Sequence, residues 1–259
     1  MGFNTIVFSK DDAIATIQLN RPEAMNAINL QMLQEISTAL DEIASDNNIR
    51  VLVLKGSDKV FAAGADIRDF VDYGPLEVRD YIQQAHLMGA KLNRLPKATI
   101  ACMAGLALGG GCEIALGCDF RIAADNCKFG FPEINLGVFP AGGGTQRLAR
   151  VVGCSRAKEL ILTGEIIDSQ RAEQIGLVTK VVPADQLEEV TQKMARRLSR
   201  KPPLVVPMIK ELLELSEHLD PTVGTMMERE KFSVLFATED KTEGMKAFLE
   251  GRKAEFKGK

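Results

Sequence analysis

The residues best equipped for chemistry lie between Ala104 and Glu133. The stretch reads Ala104-Gly105-Leu106-Ala107-Leu108-Gly109-Gly110-Gly111-Cys112-Glu113 and closes on Phe129-Gly130-Phe131-Pro132-Glu133. Glycines after an apolar run let the chain turn sharply and let a substrate approach main-chain N–H groups with no Cβ in the way. Cys112 to Leu116 reads as a helix, which puts Gly110 near a helix N-terminus. There N–H groups lack intrahelical partners and the macrodipole favours negative charge, so an oxyanion could be held. Glu113 falls on the same helical face as Gly110, its side chain leaning back over whatever Gly110 binds. Taken alone, the triplet is also what a tight turn needs, and a first-turn glutamate is a common dipole partner. The second glutamate, Glu133, and a second small-residue turn at Phe61-Ala62-Ala63-Gly64-Ala65-Asp66-Ile67 add weight to the chemical reading.

Two N–H groups aimed at one point stabilise a carbonyl oxygen as it gains charge, which suits a thioester turning into an enolate. Carboxylates on either side could hold one water between them. Sharing a confined site, they should ionise in a coupled way, one proton being retained at neutral pH. The ionised carboxylate would activate water and the protonated one would donate, adding water across an activated double bond without a metal. A Ser-His-Asp triad needs a histidine, and His86 and His218 each lie in a helical stretch with no nucleophile motif nearby, as ordinary helix-surface residues do. Cys112 adjoins Glu113 but reads as a small buried apolar residue. The triplets at 109–111 and 142–144 do not complete G-x-G-x-x-G, and no Gly-Lys-Ser/Thr follows.

The elements that must position these groups follow from periodicity. Thr5 to Phe8 and Ile14 to Leu19 suggest a hairpin. Asn29 reads as the N-cap of a helix burying Leu33, Ile36, Leu40 and Ile43. Val51 to Leu54 and Thr99 to Met103 read as strands buried on both faces, each running into one of the two turns. In the first turn, Gly64 permits the bend and Asp66 could cap the segment after it, leaving the Ala65 N–H directed outward. Pro75 to Leu95 reads as a helix ended by Pro96. Strand, glycine turn and helix thus occur twice, which implies stacked similar units with their turns on one side. Phe120 to Ala123 and Lys128 to Phe131 are short strand candidates, and a further helix starts at Gly142-Gly143-Gly144-Thr145-Gln146-Arg147. From Ser155 the pattern is mostly helical, Val178 to Val182 being a last strand. Residues 1–199 form the core, and 200–259 a helical appendage whose apolar faces need a partner in the core or in another subunit.

Composition bounds the answer further. The 259 residues are 46% hydrophobic and 26% charged, with 32 Lys and Arg against 35 Asp and Glu, a net charge of −3. That is a globular balance, without the basic block or interleaved aromatics of a nucleic-acid surface. Five cysteines without a C-x-x-C pair argue against a disulfide framework or structural zinc and for a reducing compartment. The N-terminal residues carry no secretory pattern, and the apolar run Thr99 to Cys118 contains Glu113 and five glycines, so no membrane span is expected.

Five segments, taken together, match a family in order and spacing. Asn20-Arg21-Pro22, Phe61 to Ile67, Gly105 to Glu113, Phe131-Pro132-Glu133-Ile134 and Gly142 to Leu148 resemble the crotonase (enoyl-CoA hydratase/isomerase) superfamily along essentially the whole chain. The resemblance implies an α/β fold, a spiral of β-β-α repeats with C-terminal helices that build trimers, often paired as hexamers. It implies an oxyanion hole from the N–H groups of Ala65 and Gly110, Glu113 as the glutamate that activates water, and Glu133 as the one exchanging a proton with the α-carbon. The turn Ala63, Ala65, Asp66, Ile67 and Arg68 would hold the adenine and curl the coenzyme A, with Ala24 and Met25 in the same groove. No metal and no cofactor is implied, coenzyme A entering as part of the substrate. The expected activity is cytoplasmic hydration of trans-2-enoyl-CoA to 3-hydroxyacyl-CoA. Isomerases, decarboxylases and thioester hydrolases share the oxyanion hole and stand as alternatives, as does a non-catalytic CoA-binding or RNA-associated scaffold. Ala104 and Phe139-Pro140-Ala141 depart from the family pattern, which leaves acyl chain length open, and Glu23 stands where a Lys is frequent, which takes a favourable charge from near the coenzyme phosphates.

Overall fold

The computed structural model describes residues 2–259. Nine strands are defined among them: β1 (Ile6–Asp11), β2 (Ile14–Leu19), β3 (Val51–Lys55), β4 (Ala98–Met103), β5 (Leu106–Leu108), β6 (Phe120–Ala124), β7 (Lys128–Gly130), β8 (Ile166–Asp168) and β9 (Lys180–Val182). Between them run α1 (Leu30–Ser45), α2 (Ile67–Phe70), α3 (Pro75–Asn93), α4 (Gly110–Leu116), α5 (Gly144–Val152), α6 (Cys154–Thr163) and α7 (Ser169–Gln174). Four helices, α8 (Leu187–Ser199), α9 (Val205–Ser216), α10 (Pro221–Leu235) and α11 (Glu239–Leu249), close the chain.

The hairpin β1–β2 forms, with β1 extending past the expected Phe8 so that Lys10 and Asp11 pair with Ala15 and Ile14, and α1 starts where the Asn29 side chain accepts the Met32 N–H at 2.9 Å. Such a cap stabilises a helix by about 1 kcal/mol. Leu33, Ile36, Leu40 and Ile43 are buried along that helix. From β2 onward the large sheet is parallel in the order β1-β2-β3-β4-β6-β9, the first pair alone being antiparallel. β4 is buried at every residue because both faces are covered, one by the core beneath α1 and α3, the other by Leu187 and Ala195 of α8.

A second sheet, β5-β7-β8, runs beside the first. The chain places β4 in the large sheet, β5 in the small, β6 in the large and β7 in the small. From β4 to β7 the chain therefore deposits strands alternately in the two sheets, and the path is the expected spiral. Only part of the small sheet is readable from sequence: β5 merges into the glycine turn, and β8 falls where the pattern is helical. Strands of three residues are too short to show alternation. At the far end, α9 and α10 bury no residue fully, and Leu213, Phe232, Phe248 and Leu249 stand well exposed.

Candidate active site

Three backbone segments lie side by side and end at one edge. Ala62 bridges Ala107 in parallel, with the Leu108 N–H donating to Ala62 O at 3.0 Å, and β5 pairs in parallel with β7 so that Leu108 faces Gly130. Three residues past the Ala62–Ala107 bridge, one chain has reached Ala65 and the other Gly110. A Cβ built on Gly110 would stand 3.5 Å from the Ala65 nitrogen, so the two peptides are neighbours. Among the described residues neither the Ala65 N–H nor the Gly110 N–H donates to the protein. Gly110 is the first residue of α4, where an intrahelical acceptor does not exist. Ala65 is fixed from behind, since Ile28 donates to Gly64 O at 2.8 Å and accepts from the Asp66 N–H at 2.9 Å, and the buried Tyr81 hydroxyl donates to the same Ile28 carbonyl at 2.8 Å. Sequence reasoning did not single out Tyr81. Its signal is only a tyrosine on the buried face of α3.

Glu113, 7% exposed, projects from α4 and accepts the Gly144 N–H through Oε1 at 2.6 Å. Glu133 sits in the short 3-10 helix Pro132–Leu136 that follows β7, half-buried, with Oε2 enclosed and lacking a hydrogen-bond partner. Both carboxyls, Ala65 and Gly110 line one cavity of about 800 Å³, walled mainly by apolar side chains of α3 and by Val138 and Phe139. Burial raises the pKa of each glutamate. Glu133 is pushed up to about 7 by burial, opposed by its own backbone N–H and aided by the Glu113 charge. Glu113 is raised by burial too, but the Gly144 N–H, the Arg147 charge and the Gly142 N–H all pull it back. The contacts that stabilise a carboxylate thus gather on Glu113, while Glu133 keeps one oxygen without a partner.

The remaining residues expected at the site fall into two groups. Ala24 and Met25 lie against the first turn, the Ala63 N–H donating to Met25 O at 3.1 Å, with Met25 in a left-handed conformation and largely exposed. Ile67 and Arg68 are exposed at the same rim. Asp66 occupies the N-cap position of α2 but does not cap it. Its buried carboxylate pairs instead with Arg21 Nη2 at 3.0 Å and with Arg68 through two 3.0 Å hydrogen bonds, and the Arg68 bonds hold it below the usual carboxylate range. Two guanidiniums outcompete one backbone N–H. His86 is exposed on its helix as expected, yet it also lines the cavity and donates through Nε2 to Ala141 O at 2.7 Å. Cys112 is buried, with its Sγ on Ala107 O, and burial pushes its thiol up, as suits a packing residue. Among the described residues no cluster of three or more metal-ligating side chains occurs, and no helix is long and apolar enough to cross a membrane.

The family model for enoyl-CoA hydratase/isomerase matches residues 9–259. The chain is 41% identical over 257 residues to the crotonyl-CoA hydratase of Syntrophomonas wolfei, covering 99% of each. It is 38% identical to the short-chain-enoyl-CoA hydratase of Clostridium acetobutylicum over 98% of each. The crystal structure of an enoyl-CoA hydratase from Bacillus anthracis superposes with a TM-score of 0.95 at 36% identity, covering 99% of this chain and 100% of that one.

Proposed function

This chain belongs to the enoyl-CoA hydratase/isomerase family of enzymes, and from that premise we propose that it adds water to trans-2-enoyl-CoA thioesters, giving 3-hydroxyacyl-CoA. The observation that carries the reading is the placement of two differently held carboxyls across one cavity from two free main-chain N–H groups. The thioester oxygen would lie between the Ala65 and Gly110 amides, which stabilise it as negative charge develops. Ionised Glu113 takes a proton from water as its oxygen attacks the β-carbon, and Glu133 delivers its proton to the α-carbon as the enolate collapses. Ala24, Met25, Ala63, Asp66, Ile67 and Arg68 form the rim along which the coenzyme would lie, the Asp66 ion pairs stiffening it. Incubation with crotonyl-CoA should remove the enoyl-thioester absorbance, and its persistence at high enzyme concentration would sink the proposal.

Residues 200–259 serve in this reading as the oligomerisation segment. The exposed apolar side chains of α9 to α11 support it, since monomers rarely leave so many uncovered. Sedimentation should show a trimer or hexamer. All five cysteines are free, in keeping with a reducing, cytoplasmic setting.

A further inference from the structure

The Gly142–Gly144 turn reaches Glu113 only because something holds it there, and two side chains do so from separate helices. His86 on α3 donates to Ala141 O. Arg147 on α5 donates through Nη1 to Gly142 O at 3.1 Å. The guanidinium occupies a gap in α3, for a Cβ at Gly89 would stand 2.8 Å from Nη2 and 3.2 Å from Nη1. Glycine inside a helix is unfavourable, and at Gly89, which is buried and has no positive φ, the space taken by Arg147 accounts for it. Gly143 differs, its φ of 114° favouring glycine by itself, and a Cβ there would also meet the same Nη1.

We infer that Arg147, seated against Gly89, is a positioning residue for the hydration reaction: it aims the N–H groups of the Gly142–Gly144 turn at Glu113 and favours the charged carboxylate without touching it. A guanidinium bound directly to Glu113 would occupy the oxygens that must accept a proton from water, whereas one held a peptide away lends its charge and leaves them free. Arg147 acts on Glu113 through its charge alone, while the hydrogen bonds to the carboxylate come from backbone. The charged and titratable groups that share the cavity with Glu113 are Arg147 from α5, Glu133 from the 3-10 helix, and Arg79, Tyr81 and His86 from α3; Arg150 and Glu214 act in turn on Arg147.

The inference rests on the hydratase reading, so its test uses one readout that needs turnover and one that does not. In substrate-free protein carrying carboxyl-labelled glutamate, the Glu113 resonance, assigned by its loss in Glu113→Gln, is titrated by carbon NMR. Arg147→Gln should move the Glu113 midpoint upward, because a nearby positive charge has gone. It should lower kcat for crotonyl-CoA roughly 10- to 100-fold with KM changed less than about threefold, since the base is misplaced rather than the substrate. Arg147→Lys should restore much of the midpoint but not the rate, having charge without the planar fork. Gly89→Ala, which crowds the guanidinium, should shift the midpoint in the same direction as Arg147→Gln. An unmoved Glu113 midpoint in folded Arg147→Gln and Gly89→Ala proteins overturns the inference even if crotonyl-CoA is hydrated. A wild-type protein without hydratase activity sinks the functional reading while leaving the titration informative about Arg147.

Discussion

The two glutamates of the cavity share a side chain and little else. Glu113 stands on a buried helix, receives an N–H from a separate turn, and lies within reach of a guanidinium. Glu133 stands on a short 3-10 helix whose next residues, Ile134 to Phe139, are mostly exposed, and one of its oxygens has no partner. The two carboxyls thus differ by their backbone surroundings rather than by residue type. In the proposed mechanism the carboxylate that must be negative is the one that receives a backbone N–H from a separate turn, and the one that must hold a proton has an oxygen without a partner.

The comparison breaks most plainly if the carboxyls prove interchangeable. Glu113→Gln and Glu133→Gln should each lower kcat for enoyl-CoA hydration by roughly two to four orders of magnitude, the range for a lost general acid or base. Binding of crotonyl-CoA, followed by calorimetry, should change far less in both. The wild-type profile of kcat/KM should be bell-shaped, limited on the acid side by Glu113 having to lose its proton and falling above about 7 as Glu133 loses its own. A profile that stays flat across both limbs would contradict the assignment.

A smaller effect sharpens the claim that the turn serves Glu113. Gly142 has no positive φ, so its lack of a side chain is not a matter of backbone conformation. A Cβ there would stand 2.6 Å from Glu113 Oε2. Gly142→Ala should therefore displace the base and lower kcat roughly 10- to 100-fold, while thermal stability falls only modestly. A variant with full activity would mean that Glu113 can shift without penalty, and the rigid half of the comparison would go.

Much of this is legible in sequence, and the reason is physical. Gly110, Glu113 and Glu133 belong to a glycine triplet and a Phe-Pro-Glu that few structural tasks require together, and Asn29, β3 and β4 carry strong local signals. The illegible part depends on contacts between distant segments. The roles of Tyr81, His86 and Arg147 exist only because α3 packs against the 141–147 segment and against Ile28. Ion pairs replace the expected cap at Asp66 because Arg21, from a loop far earlier in the chain, arrives beside it. Local propensity cannot see either event.

The same asymmetry has a consequence for stability against pH. The folded pKa of Glu133 is raised to about 7, above the ordinary glutamate value, so the folded state binds more protons than the unfolded one between the two. Its contribution is present below the unfolded pKa and is lost as pH rises through about 7. Glu133→Gln should therefore leave Tm nearly unchanged in acid and raise it at pH 8, flattening the curve of Tm against pH. An equal or steeper decline in the variant would show that Glu133 is not the group that holds the proton.

The smallest effect is expected one residue from Glu113. Cys112 precedes Glu113 in α4, is buried, and donates its thiol to Ala107 O. With the thiol pushed up by burial, no thiolate forms at neutral pH to act as a nucleophile. Serine keeps a donor for the Ala107 carbonyl and occupies slightly less space, so Cys112→Ser should retain kcat within about twofold and lose on the order of 1 kcal/mol of stability, measured by urea unfolding. A loss of activity comparable to that of Glu113→Gln, in a protein that folds normally, would move the chemistry from the carboxyl pair to the sulfur. Retained activity would confine it to the two acids, where adjacency in sequence counts for less than which backbone N–H groups a side chain can reach.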